Sequence, residues 1–223
     1  MSRKKRQTEK IFKIFCEGDT EYNYFEYIRK NSAIKLAIKP INMNGGGYLN
    51  YLSKIKEDAN SNCVAKFVVI DGDRACSVSG ELAQLKNIIN YCILQNDNKT
   101  TPHILIINFP DFEYVACLHT ISYKGQKTEQ YIKQCLKYSD LESFKSDKNL
   151  YKILTQENKG SINQLLQSIN SNTAVIHNEF SYNKSKYELF VKTEAYLQNL
   201  GIKGTNFNDF YNVLDIFETK VKQ

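Results

Sequence analysis

The first half of the chain alternates short apolar runs with amphipathic stretches, and this alternation constrains the fold more than any other feature. The apolar runs, which predict β-strands, lie at residues 11–16, 37–43, 66–70 and 103–108. Between them, apolar side chains recur at helical spacing in residues 20–29, 48–59 and 79–95. Repeated strand–helix alternation predicts an α/β fold with a mostly parallel sheet flanked by helices.

After Pro110 the pattern becomes mainly helical. Segments with helical spacing lie at residues 112–119, 126–138, 150–156, 162–169, 186–200 and 209–222, the last one after a polar turn at 204–208. No repeat or low-complexity linker separates the two halves, and 223 residues suffice for one sizeable core. We therefore expect a single domain over residues 1–223, with a core at 10–120 and a largely helical C-terminal extension at 121–223 packed on it.

The composition is that of an ordinary globular protein, with 42% hydrophobic and 24% charged residues. No stretch approaches the roughly 20 apolar residues of a membrane span, and the basic N-terminus lacks the apolar region of a secretory signal. The six cysteines are scattered without a CxxC pair, which favours reduced cysteines over a zinc site. These features predict a cytoplasmic protein with no membrane partner.

Acidic residues follow three of the predicted strands. Glu17 closes the first strand, Asp71 and Asp73 close the third, and Asp111 and Glu113 follow the fourth. Because the carboxyl ends of parallel strands meet at one edge of a sheet, we expect these side chains to converge. Residues two apart in extended backbone project to the same side, so Asp71 and Asp73 can address one cation.

Converging carboxylates repel one another unless they are protonated or neutralised by a metal ion. Oxygen ligands without convergent histidine or cysteine select Mg²⁺ or Mn²⁺. Glu21, one helical turn after Glu17, can reach the same space. The alternative is that residues 71–73 form a polar turn with a helix cap and that Glu17 is a turn residue. The recurrence of acidic residues at successive strand ends favours the metal site.

These residues also carry a resemblance to a known family. Residues 15–25 (FCEGDTEYNYF) resemble the first motif of RloB-like proteins, which are similar to the TOPRIM half of OLD-family nucleases. Residues 68–73 (VVIDGD) match the Asp-x-Asp motif of the TOPRIM fold, and residues 108–114 (NFPDFEY), with His119 after them, resemble the third motif. Residues 205–209 (TNFND) are a loose match to an Asn-Pro-x-Thr segment without its proline. The likeness covers residues 10–120 and implies a TOPRIM-like core.

The resemblance implies a divalent-metal site for phosphotransfer. By position in the motifs, Glu17, Asp71 and Asp73 hold the first ion, while Glu21 and Glu113 complete that site or bind a second ion. The implied catalytic set is Glu17, Asp71, Asp73, Glu113 and His119. For His119 two interpretations stay open: it orients a carboxylate or contacts phosphate, or it makes a structural hydrogen bond.

A nuclease also needs cations to contact nucleic-acid phosphates. The net charge is only +6, so it identifies no partner by itself. Candidates for phosphate contact are the basic arm at residues 3–6 and the side chains Arg74, Lys124, Lys127, Lys184 and Lys186. For each lysine the alternative is an ordinary solvated side chain. The glycines at 45–47 can cradle a phosphate, although a flexible turn is the simpler interpretation because no P-loop lysine follows them.

The resemblance implies a metal-dependent nuclease that cuts DNA or tRNA as effector of a prokaryotic or phage-defence system, together with an ABC-type ATPase. The alternative is a non-catalytic subunit that binds nucleic acid or a partner and has a structural metal site. Topoisomerase or primase chemistry is a third possibility, disfavoured by the short chain and by the absence of a zinc-binding module.

Overall fold

The computed structural model describes residues 11–31, 37–58, 63–157 and 160–217. The basic arm at residues 3–6 and the end of the last predicted helix, residues 218–222, lie outside these ranges. Within them the chain folds into an α/β structure whose centre is a five-stranded sheet with the strand order β2-β1-β3-β4-β7. The predicted fold class is confirmed.

The first four strands are parallel and match the four apolar runs of the sequence. They are β1 (Ile11–Cys16), β2 (Ala37–Asn42), β3 (Cys63–Asp71) and β4 (His103–Phe109). β1 pairs with β2 on one side and β3 on the other, and β3 pairs with β4. All four therefore end at the same edge, called here the carboxyl edge; the opposite edge is the amino edge.

Helices cover both faces of the sheet because alternate strand residues point to opposite sides. On one face, α1 (Asp19–Asn31) packs on Phe12 and Ile14, together with α5 (Phe112–Leu118) and α10 (Asn208–Ile216). On the other face, α2 (Gly47–Glu57) and α4 (Glu81–Asp97) pack on Val68 and Ile70. A short helix, α3 (Asp73–Ser77), precedes α4. The sequence predicted the main helices, including the segment 79–95 that forms most of α4, but it did not predict α3.

The helices of the second half match their sequence patterns in part: the predicted segment 126–138 is helical only at residues 128–134, and a helix at residues 141–145 was not predicted. They are α6 (Thr128–Gln134), α7 (Leu141–Lys145), α8 (Leu150–Lys152), which continues as a π-helical turn at Ile153–Glu157, and α9 (Ile162–Ser168). Their apolar side chains, such as Phe144 and Leu165, join the same buried cluster as α1 and α5. These helices therefore share one buried cluster with α1 and α5.

One predicted helix is wrong. Residues 186–200 contain a strand, β6 (Glu188–Ala195), which pairs antiparallel with β5 (Ile176–Asn183) in a separate two-stranded sheet. In β6 only Leu189 and Val191 are buried, which is the period of two that a half-buried strand requires. The predicted polar turn at 204–208 also differs: Gly204–Thr205 forms β7, which pairs antiparallel with the end of β4.

Candidate functional site at the carboxyl edge

The acidic residues converge at the carboxyl edge because the strands that precede them are neighbours. Glu17 directly follows β1, and Asp71 is the last residue of β3. In the sheet register, Asp71 lies beside Asn108 of β4, and the chain then turns through Pro110 to Glu113 of α5. The predicted convergence is therefore present in the structure.

Glu17 links the ends of β1 and β3. The backbone N–H of Asp71 donates a hydrogen bond of 2.9 Å to Glu17 Oε2, and the Tyr51 hydroxyl of α2 donates to the same carboxylate. Burial raises the pKa of Glu17, and the nearby charge of Asp73 adds to this increase. The Glu17 carboxylate is thus partly satisfied by the protein, yet its ionised form is disfavoured.

Glu21 and Glu113 are the most deeply buried acids of the cluster, with 2% and 4% of their surface exposed. Glu113 Oε1 accepts a 2.6 Å hydrogen bond from the hydroxyl of Thr20, and Glu21 Oε2 accepts one of 3.3 Å from the Gly18 N–H. The other oxygen of Glu21, Oε1, is buried and has no hydrogen-bond partner among the described residues. Burial, then the charges of Glu113 and Glu17, raise the pKa of Glu21.

Asp71 shares this environment. Burial, followed by the charges of Glu21, Glu17 and Glu113, raises its pKa well above the usual range. The Asp71 carboxylate accepts only a long hydrogen bond from a side chain within the described ranges, 3.4 Å from Asn108 Nδ2 to Asp71 Oδ1. The cluster therefore holds several carboxylates in a poorly solvated space, where their mutual repulsion favours protonation or a bound cation.

Asp111 behaves differently from the other acids. It caps α5, because its Oδ1 accepts a 2.8 Å hydrogen bond from the Tyr114 N–H. Burial and the charge of Glu113 nevertheless raise its pKa to about 6. Asp111 is thus both a helix cap and a neighbour of the cluster.

The expectation that Asp71 and Asp73 project from one extended strand is wrong. Gly72 has near-helical backbone angles (φ −98°, ψ −7°), and Asp73 is already the first residue of α3. The Asp73 carboxylate is exposed and accepts a 2.6 Å hydrogen bond from the Arg74 N–H. Its charge still raises the pKa values of Glu17 and Asp111, so Asp73 borders the cluster from the solvent side.

The donor set fits a hard divalent cation. Carboxylate oxygens predominate in the cluster, and Glu21 Oε1 is a buried oxygen atom with no hydrogen-bond partner in the part of the chain that the structure describes. Among the described residues, however, no three or more Asp, Glu, His or Cys side chains already stand in the arrangement of an ion site. The residues that would hold Mg²⁺ or Mn²⁺ thus lie close together at this edge without the arrangement of an ion site.

A cation that sequence analysis missed contacts the cluster. Lys145, the last residue of α7, places its Nζ 3.8 Å from Glu113 Oε1. Its backbone carbonyl accepts a 2.9 Å hydrogen bond from Asn23 of α1, which fixes α7 beside the carboxyl edge. Burial lowers the pKa of Lys145, but the charges of Glu113, Asp71 and Asp111 outweigh burial and raise it overall. No sequence motif marks this lysine, because only tertiary packing brings it here.

The predicted phosphate-binding cations are dispersed. Arg74 lies at the carboxyl edge and donates a 3.0 Å bond to Glu81 of α4. Lys124 and Lys127 are exposed in the connection between α5 and α6.

Lys184 and Lys186 lie in the turn of the β5–β6 hairpin, whose Tyr182 ring packs 4.7 Å from Phe217. Phe217 in turn packs 5.4 Å from Phe12, near the start of β1. These two lysines are therefore at the amino edge, away from the carboxylates.

His119 is fully buried in the core. Its Nδ1 lies 3.2 Å from the carbonyl oxygens of Val115 and Ala116, and its Nε2 lies 2.9 Å from the hydroxyl of Tyr24. Burial lowers its pKa to about 4, so the ring is neutral. These contacts are those of the structural hydrogen bond that sequence analysis left open, and they do not connect His119 to a carboxylate.

The fold and the site define an α/β protein with a buried carboxylate cluster at the carboxyl edge of a mostly parallel sheet. Residues 12–197 match the family of RloB-like proteins, and the chain belongs to that family. Neither a curated protein nor a solved structure gives a significant match. Across the described ranges, no helix has the length and apolar character required to cross a bilayer.

Proposed function

We propose that this RloB-like protein is a divalent-metal-dependent nuclease that hydrolyses phosphodiester bonds in DNA or tRNA. The observation that carries the proposal is the buried Oε1 of Glu21, which has no hydrogen-bond partner among the described residues. It lies among carboxylates whose charges raise the pKa values of Glu21 and Asp71. A purely structural cluster of this kind is costly, because a buried polar atom without a partner destabilises the fold by about 1–3 kcal/mol. A cation held by Glu17, Glu21, Asp71, Asp73 and Glu113 would offset that cost.

A bound Mg²⁺ or Mn²⁺ would polarise the phosphate and activate a water molecule for attack. The protein supplies the remaining functions. Thr20 orients the Glu113 carboxylate through its 2.6 Å hydrogen bond, and Asn108 orients Asp71. Lys145 is positioned to offset the negative charge of the phosphate as the bond breaks, since it already faces Glu113 at 3.8 Å.

The test is cleavage in Mn²⁺ of plasmid DNA, single-stranded DNA and total tRNA. We expect cleavage by the native protein and none after Asp71→Asn, Glu17→Gln or addition of EDTA. Asp215→Asn is the matched control, because Asp215 is an exposed carboxylate on α10. Lys145→Gln should reduce the cleavage rate at saturating Mn²⁺ by about 10²-fold or more, the size typical for losing one charge-stabilising group. Cleavage that persists in Asp71→Asn would contradict the proposed site.

A second candidate function has its own support. The carboxylates are close together but are not already arranged as an ion site in the described ranges. Carboxylates that are close together can bind an ion without catalysing a reaction, as in a non-catalytic subunit that has a structural metal site. Calorimetric binding of Mn²⁺ that is lost in Asp71→Asn, with no cleavage of any nucleic acid, would favour this second function.

The biological setting is supported by the family resemblance alone. We propose a cytoplasmic effector of a prokaryotic or phage-defence system that works with an ABC-type ATPase. Co-purification of the native protein with such an ATPase, and loss of phage protection in Asp71→Asn cells, would test this setting. Protection that survives the substitution would separate defence from the carboxylate cluster.

A further inference from the structure

Beside the carboxylate cluster, Arg74 is held by an internal anion. Its Nη2 donates a 3.0 Å hydrogen bond to Glu81 Oε1, and the other oxygen of Glu81 accepts a 3.3 Å bond from the Tyr48 N–H in the first turn of α2. The Arg74 side chain is 38% exposed and that of Glu81 is 17% exposed. The pair therefore stands at the rim of the site, where an incoming strand can reach it.

Arg74 is not fully used by this contact. Its Nε is shielded from solvent and has no hydrogen-bond partner among the described residues. A guanidinium group that binds a single carboxylate oxygen leaves unused the fork geometry that suits a phosphate. Arg74 directly follows Asp73 in α3, so it lies at the border of the carboxylate cluster.

Gly47 supplies the space that the Glu81 carboxylate occupies. A Cβ atom at this position would lie 2.8 Å from Glu81 Oε1 and 3.1 Å from Arg74 Nη2, closer than side chains normally tolerate. Gly47 also has a φ of +81°, which other residues rarely adopt. The glycine, the guanidinium group and the backbone amide thus surround the Glu81 carboxylate.

We propose that Arg74 and the Tyr48 amide form a subsite for a backbone phosphate of the nucleic-acid strand, and that Glu81 occupies this subsite until the strand displaces it. The inference rests on the proposed function and deepens it, because it assigns a contact to the nucleic-acid backbone at the border of the same site. A carboxylate and a phosphodiester oxygen are both acceptors that a guanidinium binds strongly, so they compete for the same donors. Only molecules in which Glu81 has released Arg74 can bind the strand at this subsite. The apparent affinity for the strand therefore falls as the fraction of molecules with the Arg74–Glu81 contact rises.

The test is binding of fluorescein-labelled single-stranded 12-mers of DNA and RNA, measured by anisotropy in Ca²⁺ and in EDTA. Glu81→Gln should bind about three- to fivefold more tightly than the native protein, the range expected when an exposed ion pair no longer competes. Arg74→Gln should bind more weakly, and the double variant should match Arg74→Gln. The matched control is Glu129→Gln. It removes the same charge from another exposed ion pair, that of Glu129 with Lys133 in α6.

Salt dependence gives a second readout. Because one phosphate contact on a single strand contributes about 0.7 to the slope of log K against log salt, Arg74→Gln should lower that slope by about 0.7 relative to Glu81→Gln. Thermal unfolding checks that each variant is folded. Equal tightening in Glu81→Gln and Glu129→Gln, an unchanged slope in Arg74→Gln, or no binding by any variant would overturn the proposal.

Binding without turnover also separates this inference from the nuclease proposal. If the variants show the predicted order of affinities but no nucleic acid is cleaved, the proposed subsite stands and the nuclease proposal is wrong. Competition by inorganic phosphate distinguishes a free phosphate from a backbone phosphate. The competition is carried out at constant ionic strength. If inorganic phosphate then displaced neither oligonucleotide, the strand backbone would be the ligand. If it displaced both at micromolar concentration, the subsite would belong to free phosphate and the proposal would be wrong.

Discussion

At the scale of single residues, the cluster stores unfavourable electrostatic energy in the metal-free protein. Glu21 and Asp71 have raised pKa values chiefly because they are buried and secondly because they repel other carboxylates. The folded state therefore binds protons that the unfolded chain releases at neutral pH. A divalent cation removes the same cost by another route.

Without metal, the protein should become less stable as the pH rises. A carboxyl group whose folded pKa is raised stabilises the fold fully below its unfolded pKa and loses that contribution as the pH passes the folded pKa. For Asp111 this window runs from 3.8 to about 6. Each extra bound proton contributes a slope of about 1.4 kcal/mol per pH unit.

Urea unfolding between pH 4 and 7 in EDTA measures this slope, and saturating Mn²⁺ should flatten it. A metal-free stability that increases with pH across this window would contradict the assigned protonation.

Asp71→Asn should make the metal-free protein more stable at neutral pH, by about 1–3 kcal/mol, because an amide removes the cost of protonating or ionising a carboxyl group buried among other carboxylates. Chemical denaturation in EDTA measures the change, with Asp215→Asn as the exposed control. The gain should disappear in saturating Mn²⁺, where the native carboxylate regains its partner. A variant that is less stable than the native protein in EDTA would show that Asp71 is held by interactions stronger than its repulsion.

Sequence alone identified the acidic residues because each lies at a fixed place after a predicted strand. Glu17 and Asp71 could be located in this way, since an apolar run ends immediately before them. Lys145 could not, because it follows no strand and belongs to a five-residue helix. Its position depends on the hydrogen bond from Asn23 and on the packing of α7 against α1, which no local pattern encodes.

At the scale of elements, a buried hydrogen-bond chain fastens the two helices that carry Glu21 and Glu113. Tyr24 of α1 bonds to His119, which follows α5, and to the hydroxyl of Tyr211 of α10 at 2.6 Å. Because His119 Nδ1 faces carbonyl oxygens, it carries the proton, and Nε2 accepts from Tyr24. The Tyr24 oxygen then accepts from Tyr211. His119 thereby positions α5 relative to α1.

Tyr24→Phe should destabilise the protein by about 1–3 kcal/mol, because it leaves buried groups of His119 and Tyr211 without a partner. The matched control is Tyr187→Phe, since Tyr187 is 55% exposed and its change should cost little. Urea denaturation measures both variants in the same buffer. Equal effects of the two substitutions would show that the buried chain contributes nothing to stability.

Elements whose apolar residues form one continuous run were the easiest to predict. β3 and β4 are buried on both faces, so each is almost uninterrupted apolar sequence. The β5–β6 hairpin was missed because it is half-exposed and its residues, such as Leu189 and Val191, are spaced among charged side chains. With so few apolar positions, helical and strand periods cannot be separated from sequence alone.

At the scale of the whole molecule, the two edges of the sheet have different chemistry. The carboxyl edge joins acidic ligands to Arg74 and Lys145, whereas the amino edge carries the hairpin turn with Lys184 and Lys186. The strands separate these edges by about 3.3 Å per residue, so a lysine at one edge cannot touch a phosphate at the other.

We therefore expect Lys184→Gln and Lys186→Gln to leave the cleavage rate at saturating substrate unchanged, whereas Lys145→Gln lowers it. Single-turnover assays with the preferred nucleic acid measure all three variants. Losses of similar size at the hairpin and at Lys145 would show that the amino edge takes part in the reaction.

The short strand β7 contributes a contact to the carboxylate site from a part of the sequence that is synthesised late. Thr205 donates a 2.8 Å hydrogen bond to Asn108, a residue 97 positions earlier, and Asn108 in turn supports Asp71. During synthesis the acidic motifs emerge from the ribosome long before Thr205 is translated. A nascent chain therefore lacks one of the contacts that orient Asp71 until Thr205 has been synthesised, which delays completion of the site in the cell that produces it.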